Sequence, residues 1–231
     1  MNNLAAVLYQ SGRFEEALAM YRQALPIYRE VYGVEHPEVS VLLNNMGGAA
    51  LMGGRIDEAE PLLRQALAMG EKLNGANHDD LVAPLNRLAM IDTYSGRLAE
   101  AGEEIKRAEQ IARLPDHGIL LDQVLLNVAD LELQNGNTDA AAASLSESRR
   151  LLEAAYPLAQ RPTEAWRYAI WDTVNAELTA RRGDTATARL TIADALPIIT
   201  QRFGPNGFYS EVARRREQFA EKPSISGSNK L

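Results

Sequence analysis

The chain has 231 residues, with 24 Lys and Arg against 31 Asp and Glu, which gives a formal net charge of −7 at pH 7. This acidic balance disfavours nucleic-acid binding, because a protein needs a basic surface to bind the phosphate backbone. The absence of cysteine excludes disulfides and thiol chemistry, and no segment approaches the roughly 20 apolar residues that a membrane helix needs.

Apolar residues recur at the spacing of an amphipathic helix along almost the whole chain. Short turns rich in Gly, Asn and Asp separate these stretches, as helix ends require. In chain order the pattern predicts ten helices, at residues 2–10, 14–31, 37–52, 56–73, 79–94, 98–113, 118–135, 138–154, 162–182 and 185–203. We expect a polar capping helix at 208–221 and a disordered tail at 222–231.

The ten helices pair into five similar hairpins, because matched residues recur every 40 to 47 positions. A glycine marks the turn inside each hairpin, at Gly12, Gly54, Gly96, Gly136 and Gly183. Residues of matched size stand seven positions before and five, nine and twelve positions after these glycines. In three of these four columns every residue is Ala except Gly47 and Ser148. The fourth column, nine positions after each glycine, holds Tyr, Leu or Ile. Units that repeat at this period bury their apolar faces against their neighbours, so the chain is predicted to form a solenoid.

These columns, together with segments such as Gly12–Ala17 and Gly33–Pro37, resemble the long form of the tetratricopeptide repeat found in kinesin light chains and many bacterial proteins. The resemblance implies an all-α, right-handed superhelical solenoid of antiparallel helix hairpins. One array over 1–221 would comprise hairpins at 1–36, 37–78, 79–117, 118–160 and 161–207 and the capping helix. The resemblance also implies a non-catalytic scaffold that binds a peptide or protein segment in its concave groove, within a larger bacterial signalling or regulatory protein.

An asparagine column is the strongest candidate for a binding function. Asn2, Asn44 and Asn86 stand ten residues before the first three turn glycines, although asparagine costs up to about 0.7 kcal/mol relative to alanine in a helix. In arrays of the resembled family the matching stripe of first helices lines the concave groove, where amides could bind a peptide backbone. Alternatively, the asparagines hydrogen-bond to one another or to the adjacent repeat and are structural.

The rest of the predicted groove lies on the same face of the first helix of each hairpin. Met52 and Tyr94 would add an exposed apolar patch for a partner side chain, and acidic and basic residues would follow toward the carboxyl end. The complete predicted set of peptide- or partner-binding residues is Asn2, Ala6, Asn44, Gly48, Met52, Asn86, Met90, Tyr94, Asp130, Glu177 and Arg181.

The sequence predicts no catalytic, cofactor or metal site. It contains no nucleophile elbow, phosphate loop or kinase motif. His36 and His78 share one register and His117 lies in a connecting loop, but no carboxylate recurs at a ligand spacing common to them. Helix entry is therefore the predicted role of these histidines.

Two other hypotheses stay open beside the scaffold that binds a peptide. Met1 aligns with Leu43 and Leu85, in the middle of a first helix, so we expect a chain cut from a longer parent. Its uncapped amino-terminal edge could mediate self-association. Alternatively, the array could sense a small signalling peptide by changing its curvature. The self-association hypothesis involves no peptide ligand, whereas the other two involve a protein or peptide partner. Under every hypothesis we expect a cytoplasmic protein without nucleic-acid or membrane contact.

Overall fold

The computed structural model describes residues 2–114 and 120–221, and within them the chain forms eleven α-helices. The helices are α1 (Asn2–Gln10), α2 (Phe14–Tyr32), α3 (Pro37–Met52), α4 (Ile56–Asn74), α5 (Val82–Tyr94), α6 (Leu98–Ala112), α7 (Leu121–Gln134), α8 (Thr138–Ala155), α9 (Ala165–Arg181), α10 (Thr185–Phe203) and α11 (Phe208–Glu221). Short 3₁₀ turns at Asp79–Leu81 and Pro162–Glu164 lead into α5 and α9.

These helices confirm the predicted elements, with differences mainly at the starts of α5 and α9. Both predicted helices begin as a 3₁₀ turn; Pro84 lies in the first turn of α5, and Pro162 is the first residue of the 3₁₀ turn before α9. Pro84 has no N–H to donate to the carbonyl of Asp80, so an α-helical hydrogen bond is missing there. The predicted start of α7 at 118 and the predicted disordered tail at 222–231 lie outside the described residues.

The four repeating columns are buried in all five hairpins, which explains their matched residue sizes. Gly47 replaces alanine in one column because a Cβ there would come within 2.7 Å of the Leu63 side chain. The five turn glycines have φ between 79° and 101°, a left-handed region that side chains disfavour. Small residues thus let neighbouring helices approach closely, and glycine permits each sharp turn.

The helices form two layers. Each odd-numbered helix contacts the next odd-numbered helix, whereas the even-numbered helices α2 to α10 pack outside, each between two odd-numbered ones. The inner layer therefore provides the concave surface of the array. Among the described helices, none combines the length and the apolar character that crossing a bilayer requires.

The array curves until its two ends touch. The ring of Phe14 in α2 stacks on the ring of Phe203 in α10, with centroids 5.6 Å apart and planes at 5°. Arg202 donates a hydrogen bond to the carbonyl oxygen of Tyr9 at 3.5 Å. We call these contacts of Tyr9 and Phe14 with Arg202 and Phe203 the closing contact. As a result, the first hairpin and the last two helices share one hydrophobic core.

Helix α11 lies against the inner layer, where it contacts α9, α10 and α3. The expectation of a polar cap is therefore wrong for one side of this helix. One face of α11 is buried, and it includes Phe208, Val212, Ala213, Arg216 and Ala220. The helix packs on the last described hairpin and also fills part of the concave side of the array.

Candidate binding groove

The predicted binding residues all lie on the inner layer, on α1, α3, α5, α7 and α9. On α1, Asn2 and Ala6 are half-buried. The Oδ1 atom of Asn2 is buried and has no hydrogen-bond partner among the described residues. The other nine predicted residues fall into a polar part, an apolar part and an ionic part.

The polar part joins successive hairpins. The Oδ1 atom of Asn44 accepts a hydrogen bond from Arg87 Nη1 at 2.6 Å, and that of Asn86 accepts one from Asn127 Nδ2 at 2.8 Å. The same Arg87 side chain covers Gly48, where a Cβ would come within 2.9 Å of the guanidinium carbon. These two asparagine oxygens thus make the contacts expected under the structural alternative.

The apolar part is covered by α11. Met52 is buried and Tyr94 is half-buried, so the expectation of an exposed patch formed by these two side chains is wrong for Met52. Met90 is buried beside them. The hydroxyl of Tyr209 lies 3.9 Å from the sulfur of Met90. The ring of Phe208 packs edge-on against Tyr94, with centroids 5.4 Å apart. Helix α11 of the chain itself therefore contacts the surface predicted to anchor a partner.

The ionic part surrounds Arg216 of α11. Its guanidinium lies 2.7 Å from Asp130 and 3.2 Å from Glu177. It also donates hydrogen bonds to the hydroxyls of Thr173 at 2.9 Å and Tyr94 at 2.5 Å. We call Tyr94, Asp130, Thr173 and Glu177 the arginine socket. Three hairpins contribute to this socket, through α5, α7 and α9.

The arginine socket is shielded from water. Arg216 and Glu177 are each 4% exposed, and Asp130 is 5% exposed. Burial raises the pKa of the Asp130 carboxyl, against the opposing attraction of Arg216. Burial alone would lower the pKa of Arg216, but nearby Asp130, Tyr94 and Glu177 raise it overall. The guanidinium therefore stays charged and compensates the buried acids.

Charge compensation by Arg216 matters more for Asp130 than for Glu177, because Glu177 has a second cationic partner. Arg181 also pairs with Glu177, at 2.6 Å, from the more exposed rim of the groove. Within the described residues, Arg216 is the one cation in ion-pair contact with Asp130. Their contact acts through charge, since the Oδ1 atom of Asp130 is not aligned for a hydrogen bond. Removing the partner of a buried charge costs about 3–5 kcal/mol.

Open space remains beside α11. A cleft of about 440 Å³ separates the ends of α5, α7 and α9 from this helix. The side chain of Arg181 lies at the cleft with its guanidinium 4.9 Å from the ring centre of Phe219. The groove is therefore filled by α11 along part of its width only.

Sequence reasoning missed the residues of α11 that contact the groove, Arg216 and Tyr209 above all, and also Thr173 in the arginine socket. A signal was present in the sequence. Val212, Arg216 and Ala220 follow one another at four-residue spacing, so an arginine stands within a stripe that is otherwise apolar. An arginine at such a position needs an acidic partner, which the acids of the inner helices provide.

Two of the three histidines considered above, His36 and His78, are helix caps. The Nδ1 atom of His36 accepts a hydrogen bond from the Glu38 N–H at 3.2 Å, and that of His78 accepts one from the Asp80 N–H at 3.3 Å. This geometry confirms the predicted role at helix entry. His117 lies outside the described residues.

Comparison with known proteins agrees with this geometry. The family model of the tetratricopeptide repeat matches residues 1–72. A search of curated protein sequences found no match. Two crystal structures of a kinesin-light-chain-like protein with nearly identical TPR-like repeats, from Podosopora anserina, are similar in fold. Each has a TM-score of 0.56 and 20% sequence identity to this chain. The alignment covers 87% of this chain and 93% of the Podosopora anserina chain.

The crystal structure of BtubC (BKLC) from P. vanneervenii is also similar. Its TM-score is 0.54 at 18% identity, over 99% of this chain and 83% of that chain. Identities at this level show a shared fold. The first 72 residues are therefore similar to tetratricopeptide repeats, and the described part of the chain is a solenoid with the fold of kinesin-light-chain-like repeat proteins.

Proposed function

We propose that the chain is a non-catalytic protein-interaction scaffold whose concave groove binds a helical segment of a partner protein. Tetratricopeptide repeats are generally protein-interaction scaffolds, which supports this class of function. The observation that supports a helical ligand is α11 itself, which lies in the groove with Arg216 in the arginine socket. A place in a larger bacterial regulatory protein and a cytoplasmic location stay predictions from the resemblance.

The contacts favour a helix over an extended peptide. The oxygens of Asn44 and Asn86 already accept hydrogen bonds from neighbouring hairpins, so they are not free to bind a peptide N–H in the same geometry. If α11 moved out, the apolar side chains of Met52 and Met90 would face the groove. Buried apolar and aromatic anchors of this kind dominate the affinity of most protein interfaces.

A display screen of helical peptides tests this proposal. The full chain with Arg216→Ala serves as bait, because loss of the arginine weakens the hold on α11. The chain with Arg215→Ala is the matched control, since Arg215 is exposed and its one ion pair among the described residues is with Glu211 of its own helix, at 3.7 Å. We expect peptides enriched on the first bait over the second, and weakened when the bait also has Met90→Lys.

The screen tests the proposal only if the bait protein is folded. Circular dichroism and urea unfolding establish that each variant is folded before the screen. A folded Arg216→Ala chain that enriches nothing beyond the Arg215→Ala chain would contradict a groove that binds helices.

Self-association is a second candidate, supported by the first helix. Leu4 and Val7 are 55% and 58% exposed on α1. Their counterparts in the next two hairpins are Met46, Leu88, Ala49 and Ile91, which are all buried in the core. The exposed pair thus has the chemistry of a face that packs against another helical hairpin. We propose a second copy of the chain as its occupant, through a symmetric contact.

Sedimentation at several concentrations tests self-association. We expect the wild-type mass to rise toward a dimer, and Leu4→Asp to keep the chain monomeric. Leu190→Asp is the matched control, because Leu190 is 70% exposed on α10, twelve residues before Arg202 of the closing contact. A monomeric wild type, or equal loss of the dimer in both variants, would contradict this candidate.

A further inference from the structure

We infer that the partner helix presents an arginine to the arginine socket and an aromatic pair about two helical turns before it, in competition with α11. This inference rests on the proposed function and adds the chemistry of the partner. It follows from three features of the groove, which are its need for a cation, its preference for a guanidinium and the register of the aromatic contacts.

The socket needs a cation whatever helix lies in the groove. All four of its residues belong to α5, α7 and α9, so they remain together when α11 is absent. Asp130 and Glu177 are both buried there, and Arg181 neutralises only Glu177, from the rim. An occupant without positive charge would therefore leave Asp130 without a compensating cation, and this carboxyl would either stay charged or take up a proton, each at a cost in free energy.

The geometry selects arginine over lysine. Each nitrogen of the Arg216 guanidinium serves a different group. Nε donates to Glu177 at 3.2 Å, Nη1 donates to Thr173 at 2.9 Å, and Nη2 contacts Tyr94 and Asp130. These acceptors come from three hairpins and surround a planar fork. A lysine has one nitrogen on a flexible stem, so it cannot contact all of them from one position.

The aromatic contacts set the register of the helix. Phe208 and Tyr209 stand eight and seven residues before Arg216, which is about two helical turns. They contact Tyr94 and Met90, respectively. A partner helix with the same spacing would place its aromatic pair on the apolar part and its arginine in the socket at once.

Peptide binding to the full chain tests this inference. The receptor is the full-length Arg216→Ala chain, and the probe is a fluorescent peptide of residues 208–221 with Arg216 intact. In one control probe citrulline, a neutral analogue of similar shape, replaces Arg216. In the matched control it replaces Arg215, one position away on the same helix. Fluorescence anisotropy measures the affinity of each probe for the receptor.

We expect the intact probe and the citrulline-215 probe to bind with similar affinity and the citrulline-216 probe to bind at least tenfold more weakly. We also expect the wild-type chain to bind the intact probe at least tenfold more weakly than the Arg216→Ala chain, because α11 occupies its groove. If Arg216→Ala does not fold, Arg216→Lys replaces it, since lysine keeps a cation in the socket but loses the fork of contacts.

The possible failures are distinguishable. A folded receptor that binds the two citrulline probes equally well would overturn the arginine requirement and leave the helix-binding groove standing. A folded receptor that binds none of the three probes would overturn both the inference and the proposed helical ligand. Equal binding of the intact probe to wild type and receptor would overturn the competition with α11.

Discussion

Replacing Gly12 by alanine should open the closing contact between the two ends of the array. Gly12 has φ +83°, and a Cβ built there would lie 2.6 Å from the carbonyl oxygen of Arg202. Ordinary van der Waals contact begins at 3.4 Å, so the backbone of Arg202 must withdraw by about 0.8 Å. Gly96 offers a matched control, because it has φ +79° and nothing lies within 4 Å of its Cβ position.

Comparing the two variants separates closure from backbone strain. An alanine at positive φ costs about 1–3 kcal/mol at either position, so this cost cancels in the comparison. The additional cost at Gly12 comes from the disturbed stack of Phe14 on Phe203. An aromatic pair contributes about 0.5–1.5 kcal/mol beyond its buried area. With some loss of neighbouring contacts we expect Gly12→Ala to be less stable than Gly96→Ala by about 1–2 kcal/mol.

Thermal unfolding and tryptophan fluorescence measure this difference. A change of about 1–2 kcal/mol corresponds to roughly 2–8 °C in the unfolding midpoint of a chain of this size. Trp166 packs edge-on against Phe203, with centroids 5.6 Å apart, so its emission should also shift in Gly12→Ala alone. Small-angle scattering should show a larger radius for that variant. Equal midpoints, spectra and radii for the two variants would refute closure of the array at this contact.

Three further predictions concern buried polar groups, each measured by urea unfolding. Arg216→Ala should destabilise the chain by about 3–5 kcal/mol, and exposed Arg215→Ala by less than about 0.5 kcal/mol; equal effects would contradict a buried socket. Asn86→Ala should cost about 1–3 kcal/mol, because the amide of Asn127 loses its acceptor, and an unchanged midpoint would contradict this. Burial raises the pKa of Glu104 from 4.5 to about 7. Between these two pH values the native state retains a proton that the unfolded state has released, so the free energy of unfolding falls as the pH rises through this range. Glu104→Gln should therefore gain on the order of 2 kcal/mol over wild type near pH 8 and little near pH 5; the same difference at both pH values would refute that linkage.

The helices and hairpins were predictable from the sequence, because their determinants are local and repeated. The turn glycines and the alanine columns fix each hairpin and its packing on the next, and all of these column positions are buried. The start of α5 differs where Pro84 removes a backbone donor. A solenoid whose units contact their neighbours is well suited to prediction from short segments of sequence.

Closure of the array was not predictable by the same reasoning. The curvature of a solenoid accumulates from a small rotation at each repeat, so the meeting of Phe14 with Phe203 depends on all the hairpins between them. For the same reason the position of α11 in the groove was missed. Asp130 and Glu177 were placed toward the carboxyl end of the predicted groove, but their partner Arg216 was assigned to a polar cap.

The closing contact and the arginine socket are mechanically linked, because only the four residues 204–207 separate Phe203 at the end of α10 from Phe208 at the start of α11. A partner helix that replaces α11 must therefore move the segment that also holds the two ends of the array together. Disrupting the aromatic stack in advance removes about 0.5–1.5 kcal/mol of that cost, which corresponds to an affinity gain between about twofold and about tenfold. Gly12→Ala should thus strengthen binding of the arginine-bearing probe although Gly12 lies outside the groove, whereas Gly96→Ala should not. An equal affinity in both variants would mean that α11 leaves the groove without opening the array.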